Sequence, residues 1–171
     1  MIKLIGAVFI LLSTSWAGFE ASKYLTERPR QLRLLKVALQ SLEAEITYSH
    51  TPLHEATRKI SKQLQKPVSW FFETFSKKLT EQEISVKKAW EESLNDIWKL
   101  TAFKTGEYEI LKQFGENLGK HDMMTQQKHI QLALKHLERE ESEAIEKQRK
   151  YEKMTKSLGF LSGLLLIILL L

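Results

Sequence analysis

Gln31-Leu-Arg-Leu-Leu-Lys-Val-Ala-Leu-Gln-Ser-Leu-Glu-Ala-Glu-Ile46 decides the fold class. Within it Leu32, Leu35, Leu39, Leu42 and Ile46 recur at alternating steps of three and four. That spacing gives one apolar stripe on a helix of about five turns. Downstream, Ser49-His-Thr-Pro-Leu53 breaks the pattern. Thr51 is expected to cap a second helix with Pro52 at its first position, carrying Leu53, Ala56, Ile60 and Leu64 on one side. After Pro67, the residues Val68, Phe71, Phe72, Phe75 and Leu79 form an aromatic stripe. Ser85 is expected to cap a helix with Val86, Trp90, Leu94 and Ile97. Thr105 is expected to cap one with Tyr108, Leu111, Phe114 and Leu118, closed by Gly119. Asp122 is the expected cap of the last helix, which carries Ile130, Leu134 and Leu137 and meets no breaker before Gly159. Beyond Leu137 the stripe thins, with Glu141 and Gln148 in its register. The pairs Glu143–Lys147, Glu146–Lys150 and Glu152–Lys156 have the favourable order for a solvated helix, so this stretch is expected to be a stalk. Upstream, Pro29 predicts a bend or a new helix start. The expected fold is all-α: an antiparallel bundle of about six helices.

Outside the bundle the chain changes character. Residues Leu4 to Phe19 carry no charged side chain, and neither do Leu158 to Leu171. The C-terminal run is apolar on every face, which reads as a membrane helix rather than a core helix. It is short for about 30 Å of hydrocarbon. The N-terminal run has two readings. A small-x-small site at Ser15-Trp16-Ala17 suits a cleavable signal peptide; Trp16 and Tyr24 suit the interface belt of a retained helix. The flanking charge favours the anchor. Lys23, Arg28, Arg30, Arg33 and Lys36 follow the first run, and Lys147, Arg149, Lys150, Lys153 and Lys156 precede the second. Both clusters hold the middle region in the cytoplasm by the positive-inside rule and place both termini on the far side. The expected division is an N-terminal membrane helix over 1–25, a cytoplasmic bundle and stalk over 26–153, and a C-terminal membrane helix over 154–171, continuous with the last bundle helix.

Composition narrows the chemistry. There is no cysteine, which excludes disulfides, a thiol nucleophile and Cys-ligated metal. Seven glycines and three prolines leave little room for a β-rich fold. No Gly-x-x-x-x-Gly-Lys loop or Gly-x-Ser-x-Gly elbow appears. His50 and His54 are four apart, but the Thr51-Pro52 break separates them, so no metal site is expected. His121, His129 and His136 read as surface residues. Glu43 and Glu45 are two apart and point to different helix faces, which argues for solvated charge rather than acid–base work. The net charge of +5 is concentrated beside the apolar runs, so anionic lipid and not nucleic acid is the expected polyanion. No cofactor and no enzymatic activity are expected.

Several segments together carry a family resemblance: Glu27-Arg-Pro29, Leu39-Gln-Ser-Leu-Glu-Ala-Glu-Ile-Thr-Tyr48, Thr51-Pro-Leu53, Phe114-Gly-Glu-Asn-Leu-Gly-Lys-His-Asp122 and Gln126-Gln127. In order and spacing the chain resembles the stage III sporulation protein AB family of endospore-forming bacteria over nearly its full length. The resemblance implies a platform or docking subunit in a channel complex of the mother-cell membrane, needed for late forespore development. It implies similarity to the inner-membrane platform protein of type II secretion, and partners that include other stage III sporulation proteins and a secretion-type ATPase. Platform proteins usually carry two such bundles, and a homo-oligomer would supply the second. Glu43, Glu45, Gly119 and Asp122 are the candidate partner-binding residues. The competing expectation is an exported helical protein with a cleaved signal peptide, retained by its C-terminal anchor.

Overall fold

A computed structural model describes residues 2–81, 84–119 and 123–170. Among them it has six helices and no strand: α1 (Ile2–Thr47), α2 (Leu53–Gln63), α3 (Val68–Glu81), α4 (Val86–Trp98), α5 (Thr105–Asn117) and α6 (Met123–Leu170). The chain divides into two compact units, Arg30–Ser142, and Met1–Pro29 with Glu143–Leu171.

In the unit Arg30–Ser142, α1 and α6 run antiparallel. Arg33 and Lys36 of α1 meet Glu141 of α6, and Glu43 meets Gln127 and Gln131. Partner numbers on α6 fall as those on α1 rise. The helices α2 to α5 form an up-and-down series, each packed on the one before it. Ser76 Oγ donates to the His54 carbonyl at 2.7 Å, joining α3 to α2. Lys78 sits between Glu92 and Asp96 at 3.0 and 3.1 Å, joining α3 to α4. Gln31 Oε1 accepts the Ala102 N–H at 2.7 Å and holds α1 to the α4–α5 loop.

The core forms around Trp90, which is fully buried with Phe72, Phe75, Leu32, Leu35 and Leu39. Phe71, Phe75 and Phe114 meet its ring edge-on with centroids 4.6, 5.0 and 5.2 Å away, the favourable arrangement for aromatic quadrupoles. The indole N–H, which would be orphaned in so apolar a place, donates to the Leu111 carbonyl at 2.8 Å. Gly115 lies against this ring. A Cβ there would fall 2.1 Å from Trp90 Cδ1, so no other residue fits. The stripes over residues 32–46, 68–79 and 111–118 face this core as their periodicity predicts.

Some local expectations shift. Ser85 caps α4 by accepting the Lys88 N–H, and Gly119 follows α5 with φ +76°, both as expected. α2 begins one residue later than expected, with Pro52 at the N-cap; the Thr51 hydroxyl donates to Glu45 instead. It also ends at Gln63, so Leu64 lies beyond it in extended backbone. Lys104, not Thr105, is the cap of α5, and the Glu107 carboxylate accepts the Lys104 N–H at 2.7 Å. Asp122 lies outside the described residues. The largest departure is at Pro29. No new helix starts there; Pro29 lies inside α1. Proline inside a helix forgoes one backbone hydrogen bond and costs about 3 kcal/mol. Burial of Leu32, Leu35, Leu39 and Leu42 farther along α1 supplies the opposing stabilisation.

The unit Met1–Pro29 with Glu143–Leu171 contains both helix ends. The stretch beyond Leu137 is expected to be a stalk along a solvated helix. Ala144 is instead buried, and Gln148 Nε2 approaches Thr26 Oγ1 at 3.5 Å. The expected Glu143–Lys147 pair forms. Both terminal runs have helical backbone, but most side chains of residues 4–19 and 159–171 lie outside those described, and the membrane expectation lies with them. Among the described residues, no helix is long and apolar enough to cross a membrane.

Candidate docking surface

Glu43 and Glu45 point apart, as their two-residue spacing requires, yet neither is simply solvated. Glu43 accepts from Gln127 at 2.9 Å and from Gln131 at 2.7 Å, which fixes α1 against α6. Glu45 accepts from the Thr51 hydroxyl at 2.6 Å and from Lys59 at 3.3 Å, closing the α1–α2 corner. The Thr51 hydrogen bond, more than the nearby Lys59 charge, holds the Glu45 carboxyl below its ordinary range. Both groups act inside the chain. Gly119 lies just past the end of α5 with Val86 beside it, and Asp122 is outside the described residues.

Of the basic residues after the first apolar run, Arg28 is buried and Arg30, Arg33 and Lys36 find partners within the chain. Arg28 is 6% exposed. Arg30 donates to Gln65 at 2.7 Å. Arg33 and Lys36 converge on the Glu141 carboxylate at 3.1 and 3.0 Å. Glu141 is itself buried, so the break in the apolar stripe on α6 is the acceptor for cations on α1. On the other side, Lys147 pairs with Glu143, Arg149 is exposed, and the Lys150 ammonium lies 5.2 Å from the Tyr151 ring. The side chains of Lys23, Lys153 and Lys156 lie outside those described.

The histidines do not assemble. His50 is exposed with φ 52°, in the break between helices, and His54 is exposed on α2. His129 and His136 lie along a depression of about 70 Å³ between α5 and α6, lined also by Ile110, Gln113 and Phe114. His121 is outside the described residues. Among the described residues, no group of three His, Asp or Glu side chains is placed to hold a metal. Phe71, Phe72 and Phe75 are buried and present no face to a nucleic-acid base.

Sequence reasoning missed a polar groove of about 510 Å³ between α2 and α3. Arg58 and Lys62 line it from α2, Lys66 from the following loop, and Trp70, Glu73 and Lys77 from α3. Buried Ser69 and Ser76 form its floor. The signal was present: Arg58 and Lys62 are four apart on the face of α2 away from Ala56 and Ile60, and Glu73 and Lys77 are four apart on α3. Elsewhere several surface cations, Lys78, Lys87 and Lys112 among them, are paired with carboxylates. Lys87 is held above the ordinary lysine range by its hydrogen bond and charge contact with Glu116. Burial opposes the charge on Lys78, but hydrogen bonds and charges from Glu92 and Asp96 outweigh it and raise that pKa too.

Comparison with known proteins bears on the whole chain. A family profile described as "Stage III sporulation protein AB" matches residues 3–171. A relative of that same description, from Bacillus subtilis (strain 168), is 60% identical over 170 residues and covers 99% of each chain. A solved structure of a stage III sporulation protein AB is 56% identical with a TM-score of 0.70, covering 72% of this chain and 98% of that one.

Proposed function

Because the chain belongs to the stage III sporulation protein AB family and so has a role in sporulation, we propose that it is a non-catalytic, membrane-held docking subunit of a channel complex between mother cell and forespore. The observation that carries this reading is the family match across the full length, apolar ends included. The bundle's own chemistry supports it. Glu43, Glu45 and Glu141 are engaged by partners within the bundle. Such a domain is suited to presenting a surface.

The two uncharged terminal runs would hold the bundle at the mother-cell membrane, with the middle domain cytoplasmic and both termini on the far side. Basic side chains at Lys147, Arg149 and Lys150 would meet anionic lipid, each contributing about 1 kcal/mol near the surface. The docked partners would be other stage III sporulation proteins, among them a secretion-type ATPase, and a second copy of this chain would complete a two-bundle platform. Deletion should arrest late forespore development, and affinity capture of the full chain from sporulating cells should retain companion proteins and the ATPase. Capture that retains none of them under any condition would sink the docking role. N-terminal sequencing of membrane-extracted protein should find Met1 intact; a start after Ala17 would favour an exported protein instead.

A further inference from the structure

We propose that the groove between α2 and α3 is the docking site for an acidic, extended segment of a partner protein. This deepens the docking role proposed above and rests on it. The groove has two unlike walls. Arg58, Lys62 and Lys66 form one, and none of them has a carboxylate within 4.0 Å among the described residues. Elsewhere in the bundle Lys78, Lys87 and Lys112 each have one. Three adjacent cations without a counter-charge, beside a built depression, attract an external anion. The opposite wall is mixed: Glu73 pairs with Lys77 at 3.0 Å, and Glu81 lies farther along. Those carboxylates repel a uniform polyanion such as a lipid surface or a nucleic-acid backbone. A peptide can turn acidic side chains to the cationic wall and a neutral edge to the other.

The floor suits a backbone. Ser76 Oγ spends its hydrogen on the His54 carbonyl, which leaves the oxygen as an acceptor for a peptide N–H. From Ser69 to Glu81 the α3 axis advances about 18 Å, the span of about five or six residues of extended chain. Trp70 is only partly buried and lies under the Lys66 ammonium, 4.8 Å from its ring centroid, giving an apolar side chain of the segment something to cover.

The test uses the full chain in phosphatidylcholine nanodiscs and a fluorescein-labelled hexapeptide, Glu-Leu-Asp-Glu-Leu-Asp, followed by anisotropy. The peptide should bind, and its amide counterpart Gln-Leu-Asn-Gln-Leu-Asn should not. Joint Arg58→Ala and Lys62→Ala substitution should weaken binding about tenfold, the effect of two exposed charge contacts. Lys88→Ala, outside the groove and beside Glu92, should leave it unchanged. Both variants expose only surface, and their thermal melts should match the parent. Equal binding of the amide peptide, or of the double variant, overturns the proposal. So does phosphatidylglycerol in the nanodisc if it displaces the peptide in a way that depends on Arg58 and Lys62, since a lipid surface would then be the occupant. In sporulating cells the double variant should retain less of its companions. Undiminished capture overturns the groove as the dock while leaving the docking role standing. A parent chain that binds the peptide yet captures no companion overturns the docking role itself.

Discussion

Gly115 shows how one missing Cβ fixes a core. The Trp90 ring occupies the space that a side chain there would need, with Cδ1 at 2.1 Å from the ideal Cβ position. Gly115→Ala should therefore destabilise the full chain by about 1–3 kcal/mol through overpacking, read by denaturant unfolding with Trp fluorescence. Glu141 is a second such residue. Its carboxylate, facing Lys36 at 3.0 Å and Arg33 at 3.1 Å, is buried, whereas Arg33 is largely exposed. Glu141→Ala should destabilise by about 2 kcal/mol, because Lys36 then loses its acceptor in a partly buried place. Replacing both partners, Glu141→Leu with Lys36→Met, should recover most of that loss; a double variant as unstable as the single one would show that the pair is not the cause. Lys78 adds a pH dependence. Its pKa is raised above the unfolded lysine value of 10.5. Its stabilisation is thus complete below 10.5 and fades as pH rises through the higher folded value. Lys78→Met should be less stable than the parent at neutral pH, and the gap should narrow above about pH 10.5 in alkaline melts.

At the scale of elements, termini and breakers decide most. Ser85 satisfies the Lys88 N–H at the start of α4. Ser85→Ala should cost about 1 kcal/mol in unfolding experiments, whereas Ser85→Asp should preserve the cap. α1 presents the opposite lesson. Pro29 lacks the N–H that the preceding turn needs, yet the helix continues through it. Local rules favour a break there, and long-range burial of the leucine stripe overrides them. Likewise Glu107 is fully buried at the start of α5 because its carboxylate accepts the Lys104 N–H, a role that no apolar periodicity signals.

For the whole molecule, the cysteine-free sequence makes topology directly measurable. A single cysteine at Lys99, which is exposed at the end of α4, gives a clean reporter. Under the proposed topology it should resist a membrane-impermeant maleimide in intact cells and react after lysis. Labelling in intact cells would place the bundle on the outside and favour the exported alternative.

The sequence alone determined the helical class and the faces of its helices, because apolar residues at steps of three and four can be buried together only on one side of a helix. The scarcity of glycine and proline and the caps at Ser85 and Gly119 were legible for the same local reason. So was the family, through the order and spacing of segments such as Leu39 to Tyr48. Tertiary structure alone decided what the charges do. That Arg33 and Lys36 share the Glu141 carboxylate, which by sequence was only a gap in a stripe, follows from the antiparallel register of α1 and α6. Glu43 found Gln127 and Gln131 in the same way. The groove of Arg58, Lys62 and Lys66 exists only because α3 lies beside α2. Periodicity reports which side of a helix avoids water; it carries no information on which distant helix comes to lie beside it, and charge pairing depends on that.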